Sequence, residues 1–288
     1  MKSKAVCSGA ATIVNAIATG KGAAFGIGLE TRASVELDDS GIIKAKIKEA
    51  EDEDTSLMLA CVRNVFSFFG VDYGAKVETE SNIPIARGLK SSSAAANAVV
   101  LAATAAVLRE NPRLRRPDDL VLINIGVDAA LEAGVTITGA FDDAAASYFG
   151  GYVVTDNNKR KIMRLGRMKP YKVLLFVPEE KSYTAKVNVA RTKLLEKEIL
   201  AAWELALDGD ILSAMKLNGI LYSAVLDQDP KVALAALDAG AVSAGLCGKG
   251  PAVAALVDGD PKKVKAAWKK FDGEIIVTET NNKRARVL

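Results

Sequence analysis

The chain contains no histidine among its 288 residues. Catalysis by a Ser-His-Asp triad or a Cys-His pair is therefore excluded, and so is a metal site built on imidazole ligands. Any proton transfer must depend on Asp, Glu, Lys or Tyr side chains, or on water. The acidic and basic residues are accordingly the first place to look for chemistry.

Cysteines and net charge are also scarce. Cys7, Cys61 and Cys247 are an odd number at wide spacings, which predicts neither a disulfide framework nor a zinc site and favours a reducing cytoplasm. The net charge of +3 is too small to indicate a nucleic-acid partner, but it suits a small anionic substrate. We find no signal-peptide pattern and expect no uncharged apolar run of membrane-spanning length. The expectation is a cytoplasmic protein that binds small molecules, and neither nucleic acid nor membrane.

Half of the residues are hydrophobic, enough for a sizeable core in one large or two modest domains. Two stretches that alternate apolar and polar residues, 27–37 and 42–47, predict a β-hairpin with its turn at 38–41. Residues 8–28 are rich in glycine and small residues. This composition indicates either a loop approached closely by ligand or backbone, or a flexible surface loop.

The remaining periodicity predicts a mixed α/β chain that becomes richer in helix after about residue 160. We expect strands at 2–8, 75–80, 152–155, 162–165, 173–177, 252–257 and 274–278. We expect helices at 54–69, 91–109, 118–132, 184–195, 196–208, 210–226, 230–239 and 261–271.

Three serines follow a glycine-containing turn at the start of an alanine-rich helix, in the sequence Gly88-Leu89-Lys90-Ser91-Ser92-Ser93. Unpaired N–H groups and the helix dipole make such a helix terminus an anion site, and Lys90 adds positive charge. Simple N-capping by a serine is the alternative. No G-x-x-x-x-G-K-[ST] motif occurs, so a phosphate site here is not a P-loop. Further glycine-rich stretches at 20–28 and 245–250 favour one nucleotide and substrate cleft.

Carboxylates form the second group of interest. Glu132 ends a predicted helix, and Asp142 and Asp143 begin the small-residue segment 140–149. With the hydroxyl groups of residues 91–93 they could supply the oxygen ligands that Mg²⁺ prefers. The alternative is that Glu132 is a surface charge and Asp142 an N-cap.

Three motifs, in this order along the chain, resemble those of one enzyme family. Pro84-x-x-x-Gly88-Leu89-x-Ser91-Ser92-Ser93-Ala94 is similar to a P-x-x-x-G-L-x-S-S-A loop that wraps the phosphates of ATP. Gly139-Ala140-Phe141-Asp142-Asp143, which leads to Gly150-Gly151, looks like a segment that carries a catalytic aspartate. Residues 243–251, Ser-Ala-Gly-Leu-Cys-Gly-Lys-Gly-Pro, look like a C-terminal glycine motif. On these motifs the chain resembles the GHMP kinase superfamily, which includes galactokinase, homoserine kinase and mevalonate kinase.

Within that superfamily, the stretch from Asn15 to Gly26 resembles the archaeal type of shikimate kinase. The resemblance implies an α+β, two-lobed GHMP kinase fold. Its N-terminal ribosomal-protein-like βαβ lobe, which binds ATP, would comprise residues 1–160, and its C-terminal ferredoxin-like lobe residues 161–288. The implied activity is phosphorylation of the 3-hydroxyl group of shikimate, in chorismate and aromatic amino acid biosynthesis, with ATP and Mg²⁺.

Two alternatives to this function stay open. One is another small-molecule kinase of the superfamily, such as homoserine or mevalonate kinase. The other is a catalytically inactive, ligand-sensing regulator. The family contains both monomers and homodimers, so either state is expected here.

The resemblance also implies roles for single residues. Ser92 and Glu132 match the Mg²⁺ ligands, and Asp143 matches the aspartate base, with Asp142 beside it. Mevalonate-type members carry a lysine that assists the base at the position of Ala10, and Lys21 is the expected substitute. The expected ATP-loop residues are Pro84, Arg87, Gly88, Leu89, Lys90, Ser91, Ser92, Ser93 and Ala94. The expected substrate residues are Asn15, Thr19, Lys21, Gly248 and Gly250, with Arg87, Arg191 or Lys21 for the substrate carboxylate.

Overall fold

The computed structural model describes residues 1–48, 50, 52–84, 89–136, 138–179 and 188–288. The strands are β1 (Lys2–Val14), β2 (Lys21–Asp38), β3 (Ile43–Ile47), β4 (Gly74–Ser81), β5 (Tyr152–Asp156), β6 (Lys161–Gly166), β7 (Lys172–Val177), β8 (Ser243–Leu246), β9 (Val253–Val257), β10 (Glu274–Glu279) and β11 (Arg286–Val287). The α-helices are α1 (Ser56–Phe69), α2 (Ser91–Glu110), α3 (Asp119–Glu132), α4 (Phe141–Phe149), α5 (Val189–Thr192), α6 (Glu196–Asp208), α7 (Ile211–Val225), α8 (Lys231–Asp238) and α9 (Lys262–Trp268). The predicted helix at 184–195 lies partly outside the described residues.

The first lobe is built on a mixed sheet whose long central strands are β1 and β2. The strand order is β11-β1-β2-β4-β3, and β5 and β6 branch from the start of β2. Because β2 is 18 residues long, it pairs with β5 near its beginning and with β4 near its end. Helix α2 packs against β1 and β2, and α1, α3 and α4 pack around α2.

The predicted hairpin of residues 27–37 and 42–47 is wrong. The two segments are strands, but β4 lies between them, antiparallel to β2 and parallel to β3. A parallel pair needs a long crossover connection, and here α1 provides it between β3 and β4. The alternation of apolar residues therefore identified both strands but not their partners.

The predicted loop at residues 8–28 is also largely wrong. Strand β1 continues to Val14 and β2 begins at Lys21, so only residues 15–20 connect them. The small residues serve close packing within the sheet. At Gly26, for example, a Cβ would lie 2.9 Å from the backbone oxygen of Asn281. The expected close approach of backbone is therefore present, but on a strand.

Helix α2 is the apolar centre of the first lobe. It is long and apolar enough to cross a membrane by length and composition, which contradicts the expectation that no such run exists. However, 72% of the apolar 18-residue stretch of this helix is buried inside the fold, as expected for the core helix of a globular protein. Small residues such as Ala98, Ala102 and Ala106, all fully buried, allow the helix to lie close to the sheet.

The second lobe is an antiparallel sheet in the order β10-β7-β9-β8, with helices α5–α8 before β8 and α9 before β10. This is the βαββαβ arrangement of the ferredoxin-like fold, and the predicted two-lobed α+β architecture is confirmed. Strands β8 and β11 were not predicted. The first sheet also includes β6 and β11, which lie beyond residue 160, and the division into domains at that residue stays a prediction.

One of the buried hydrophobic clusters spans both lobes. Ile13 of β1 and Phe25 of β2 belong to the same buried cluster as Leu174 of β7 and Tyr222 of α7. The beginning of β2 and the end of β1 therefore serve both lobes.

Candidate active site

The N-terminus of α2 forms one wall of a cleft of about 530 Å³. Lys90 precedes the helix in the left-handed conformation, with φ of 62°, and Leu89 before it is buried. The N-cap position of α2 is occupied by Lys90, which makes no capping hydrogen bond with its side chain. Because none of the three serines is the N-cap residue, N-capping does not explain their presence. Ser91–Ser93 are the first helical residues and line the cleft. The N–H groups of this first turn have no partner within the helix, which leaves them available to an anion.

The N-terminus of α4 brings two carboxylates to the same cleft. Ala140 precedes this helix with φ of 48°, and Asp142 and Asp143 lie in its first turn. The helix dipole stabilises negative charge at this position. The exposed fractions of the two residues are only 3% and 5%, yet both line the cleft.

Asp143 is paired with Lys90. The Nζ atom of Lys90 lies 2.8 Å from Asp143 Oδ2, and the buried Oδ1 atom has no hydrogen-bond partner among the described residues. Burial and the charge of Asp142 raise the pKa of Asp143 to about 7, against the opposing effect of Lys90. Burial lowers the pKa of Lys90, but the charges of the two aspartates outweigh it, and the net effect is an increase that keeps Lys90 protonated. Such a carboxylate can accept a proton from a bound hydroxyl group.

Asp142 is held in a different way. Asn157 Nδ2 donates a hydrogen bond of 2.8 Å to Asp142 Oδ1, and Thr155 Oγ1 donates one of 2.6 Å to Asn157 Oδ1. A Cβ at Gly22 would lie 2.4 Å from Asp142 Oδ2, so the carboxylate depends on glycine at that position. Sequence reasoning missed Asn157, because its contact arises only when β5 pairs with the beginning of β2.

The lysine beside Asp143 is not the one that the sequence suggested. Lys21 lies with its Nζ 4.5 Å from the centre of the Trp203 ring, and it does not line the cleft. Ala10, where the related kinases have a lysine, is fully buried against Ala145 of α4, and a long side chain has no space there. Lys90 supplies the cation instead, so the structure does not support the expected role of Lys21.

Asn15 links the N-terminal loop to the glycine turn at 247–250. Its Nδ2 donates to the Gly248 oxygen at 2.8 Å, and its Oδ1 accepts from the Ile17 N–H at 2.9 Å. The Tyr222 hydroxyl group donates a hydrogen bond of 3.0 Å to the backbone oxygen of Asn15. Asn15 and Gly248 both line the cleft, and their role in substrate binding stays a prediction. The Asn15 amide is already engaged, however, and we interpret it as a support for the turn.

We therefore expect Asn15→Ala to lower the free energy of unfolding by about 1–3 kcal/mol, because it leaves the buried Gly248 oxygen and the partly buried Ile17 N–H without their present partner. Urea denaturation measures this change. Asn64→Ala is the control, since the Asn64 amide makes a surface hydrogen bond to Glu132, and we expect it to change unfolding by less. An unchanged unfolding curve for Asn15→Ala together with a weakened KM for the acceptor would instead support direct substrate binding.

Glu132 is not brought to the serines. Its side chain is exposed at the end of α3 and accepts a hydrogen bond of 3.0 Å from Asn64 Nδ2, and it does not line the cleft. Over the described ranges, no group of three acidic or cysteine side chains could hold a metal ion. The Ser92 hydroxyl group is nevertheless a hard ligand in the cleft. It fits a Mg²⁺ ion that arrives with a nucleotide and completes its shell with phosphate and water.

Several other expected residues lie away from the cleft lining. The hydroxyl oxygen of Thr19 accepts a hydrogen bond of 3.0 Å from the Lys21 N–H. Gly250 packs beside Leu246, and Arg191 pairs with Asp227 at the surface. Of the expected ATP-loop residues, Lys90, Ser91, Ser92 and Ser93 line the cleft, Pro84, Leu89 and Ala94 do not, and Arg87 and Gly88 lie outside the described residues.

Lys249 is a cleft residue that sequence reasoning missed. It lies half-buried in the glycine turn, between Gly248 and Gly250. Burial and the nearby charge of Lys90 lower its pKa to about 8. A lysine between two glycines was the only signal in the sequence. The cleft is also lined by apolar side chains of β3 and the start of α1, namely Ile47, Leu57 and Met58.

Comparison with known proteins agrees with this arrangement. Residues 56–151 match the family model of the GHMP kinases N terminal domain. A shikimate kinase from Methanothermobacter thermautotrophicus is 47% identical and covers 97% of this chain and 96% of its own length. A shikimate kinase from Pyrococcus abyssi is 42% identical and covers 96% of this chain and 99% of its own length.

Solved structures show the same fold at much lower identity. Mevalonate kinase from Methanococcus jannaschii aligns with a TM-score of 0.76 at 17% identity, over 96% of this chain and 98% of that one. Homoserine kinase from Cytophaga hutchinsonii aligns with a TM-score of 0.71 at 15% identity, over 100% of this chain and 97% of that one. With its carboxylates and serine-rich helix terminus in one cleft, the chain belongs to the GHMP kinase superfamily and, within it, to the family of archaeal shikimate kinases.

Proposed function

We propose that this chain transfers the γ-phosphoryl group of ATP to the 3-hydroxyl group of shikimate, a step toward chorismate. The observation that carries the proposal is the Lys90–Asp143 pair, in which a carboxylate with an unpartnered oxygen lies beside the anion site of α2. The choice of acceptor is supported by the relatives named shikimate kinase, which cover nearly all of this chain.

The polar and the apolar residues that line the cleft suit the two parts of ATP. The phosphates lie against the N-terminus of α2, where N–H groups and the hydroxyl groups of Ser91–Ser93 can donate hydrogen bonds to them. The purine base fits beside the apolar side chains of Leu57 and Met58. Ser92 is the described residue that would hold Mg²⁺, and the ion would supply neutralisation of the phosphate charge. Glu132 stays a predicted ligand.

Asp143 serves the acceptor. Its unpartnered oxygen orients the 3-hydroxyl group and accepts the proton as the hydroxyl oxygen forms a bond to the γ-phosphorus. The bond from that phosphorus to the bridging oxygen breaks, and ADP leaves with the electron pair. Because the transition state of phosphoryl transfer is loose, positioning and charge neutralisation supply most of the rate.

A coupled assay of ADP release tests the proposal. The protein is incubated with Mg-ATP and, in separate reactions, shikimate, homoserine and mevalonate. We expect turnover with shikimate at least about a thousandfold above the other two, because the missing groups would leave buried polar contacts unmade. Turnover of homoserine or mevalonate in the absence of turnover of shikimate would reject the proposed acceptor, and ligand binding without any ADP release would favour a regulator.

We also expect kcat/KM for shikimate to fall tenfold per pH unit below about pH 7, because protonated Asp143 cannot accept the hydroxyl proton. The pKa of this carboxyl group is raised, so the active, ionised form is lost as the pH decreases through that value. A steady-state pH profile measures the effect. The residual activity of Asp143→Asn is the control and should lack this limb. A wild-type profile that stays flat down to pH 5 would contradict the assignment.

A further inference from the structure

Two carboxylates share the first turn of α4, but the nearby cation is paired with one of them. The Nζ atom of Lys90 lies 2.8 Å from Asp143 Oδ2, and no ion pair joins Lys90 to Asp142 in the part of the chain that the structure describes. Asp142 is nevertheless close enough to act on this cation. Burial lowers the pKa of Lys90, while the charges of Asp143 and Asp142 raise it. Asp142 would therefore compete for Lys90 if it had no other partner.

Asn157 is that other partner. Its Nδ2 atom donates a hydrogen bond of 2.8 Å to Asp142 Oδ1. Asn157 and Asp142 are both buried, with exposed fractions of 5% and 3%, so water competes little for this bond. An amide donor holds a carboxylate in place without adding a charge of its own.

The amide of Asn157 can face Asp142 in one orientation. A carboxylate accepts hydrogen bonds and donates none, so the amide nitrogen must point toward Asp142 and the amide oxygen away from it. That oxygen accepts a hydrogen bond of 2.6 Å from Thr155 Oγ1, which lies farther, at 3.3 Å, from the Gly22 oxygen. Because Thr155 is fully buried, its hydroxyl group fixes the orientation of the amide.

The backbone of Asn157 is fixed as well. Its N–H donates to the Gly20 oxygen at 2.7 Å, and its own oxygen accepts from the Arg160 N–H at 3.2 Å. The second oxygen of Asp142 lies against Gly22, where a Cβ would come within 2.4 Å of it. Asp142 is therefore held by a rigid support, as a positioned group requires.

We infer that Asn157 is a positioning residue for the proposed transfer, because it holds Asp142 aside so that Lys90 pairs with Asp143. Asp143 is then the carboxylate that meets the hydroxyl group of the acceptor. The inference rests on the proposed function, since it takes Asp143 as the base. Asn157 does not line the cleft, and it acts on the reaction through Asp142.

Asn157→Leu tests this role, because leucine has a similar size and no hydrogen-bond donor. The released carboxylate of Asp142 would then pair with Lys90 in place of Asp143. We expect kcat for shikimate to fall roughly 10- to 100-fold, as for a small displacement of reacting groups. The KM values for ATP and shikimate should change less than about threefold. Thr155→Val removes only the orienting hydroxyl group and should lower kcat by a smaller factor.

The deciding measurement adds Asp142→Asn to Asn157→Leu. In the otherwise unaltered protein, Asp142→Asn should lower kcat. In Asn157→Leu the same substitution removes the competitor for Lys90, so kcat should rise at least about threefold. A purely structural role of Asn157 predicts no such reversal, because a second substitution in a loosened site should lower kcat further.

Asn97→Leu is the matched control. Asn97 is also buried, and its Nδ2 atom donates a hydrogen bond of 2.9 Å to α4, but the partner is the backbone oxygen of Ala144. Adding Asp142→Asn to Asn97→Leu should therefore not raise kcat. Urea denaturation verifies that each variant is folded, and if Asn157→Leu is not, the same comparison in Thr155→Val decides.

Three results would overturn the inference. They are a near-normal kcat in Asn157→Leu, a fall in kcat when Asp142→Asn is added to it, and an equal recovery in Asn97→Leu. Failure of the unaltered protein to phosphorylate shikimate would reject the proposed function itself, and the inference with it.

Discussion

Asp143→Asn should lower kcat for shikimate by roughly two to four decades, the range for loss of a positioned base. The asparagine side chain has nearly the same size, so the KM values for ATP and shikimate should change only a few-fold. The loss is large because the carboxylate is the group with an unpartnered oxygen at the anion site. Single-turnover measurement with saturating ATP separates this chemical step from product release.

Asp142→Asn is the matched comparison, because Asp142 is equally buried and adjacent in the same helix turn. Its carboxylate is fixed by Asn157 at 2.8 Å, so we expect a smaller loss of kcat and a larger loss of stability in urea. If Asp143→Asn keeps a near-normal kcat and Asp142→Asn abolishes turnover, the roles of the two residues are the reverse of those proposed.

Lys90→Met should lower kcat by roughly two to three decades, as expected when a preorganised charge is removed from a water-poor site. Without the cation, burial and Asp142 act unopposed on Asp143, whose pKa rises further. The acidic limb of the pH profile should therefore move upward from about pH 7. Methionine keeps a Cβ at a position with φ of 62°, so the cost of that backbone conformation is unchanged.

The pH profile separates two roles for this lysine. Lys90→Arg, which keeps the charge, should lose less activity than Lys90→Met and show a smaller shift of the limb. A large loss of kcat in Lys90→Met with the limb unmoved would mean that Lys90 acts on the phosphates alone and does not tune Asp143.

The sequence predicted the elements of the fold better than their partners. The end of α1 could be located because Gly70 stops a helical pattern of apolar residues. The start of α2 could be located because a glycine-containing turn precedes Ser91. The pairing of β2 was missed, because nothing within residues 27–47 indicates that the later strand β4 will lie between β2 and β3. A stretch rich in glycine and other small residues, such as 8–28, can form either a loop or a tightly packed strand. Its composition is the same in both cases, so only the packing of the folded chain distinguishes the two.

The site was predictable where a motif fixes the backbone. The serines of α2, Asp143 and the glycine turn do meet in one cleft. Prediction failed where a long side chain can reach several partners. Lys21 lies over the ring of Trp203, and Arg191 forms an ion pair with Asp227. Such contacts depend on which residues become neighbours in the folded chain. The ion pair between Lys90 and Asp143 was missed for the same reason, because the two residues lie far apart in the sequence.

The shared core of the lobes limits how the enzyme can close on its substrates. Hinged enzymes close when one lobe rotates about a few connecting residues. Here Ile13 and Phe25 pack in one buried cluster with Leu174 and Tyr222, and a rotation of that kind would break this packing, which has little capacity to deform. We therefore expect substrate capture to depend on movements of side chains and turns around the cleft, with little of the binding free energy consumed in moving the lobes.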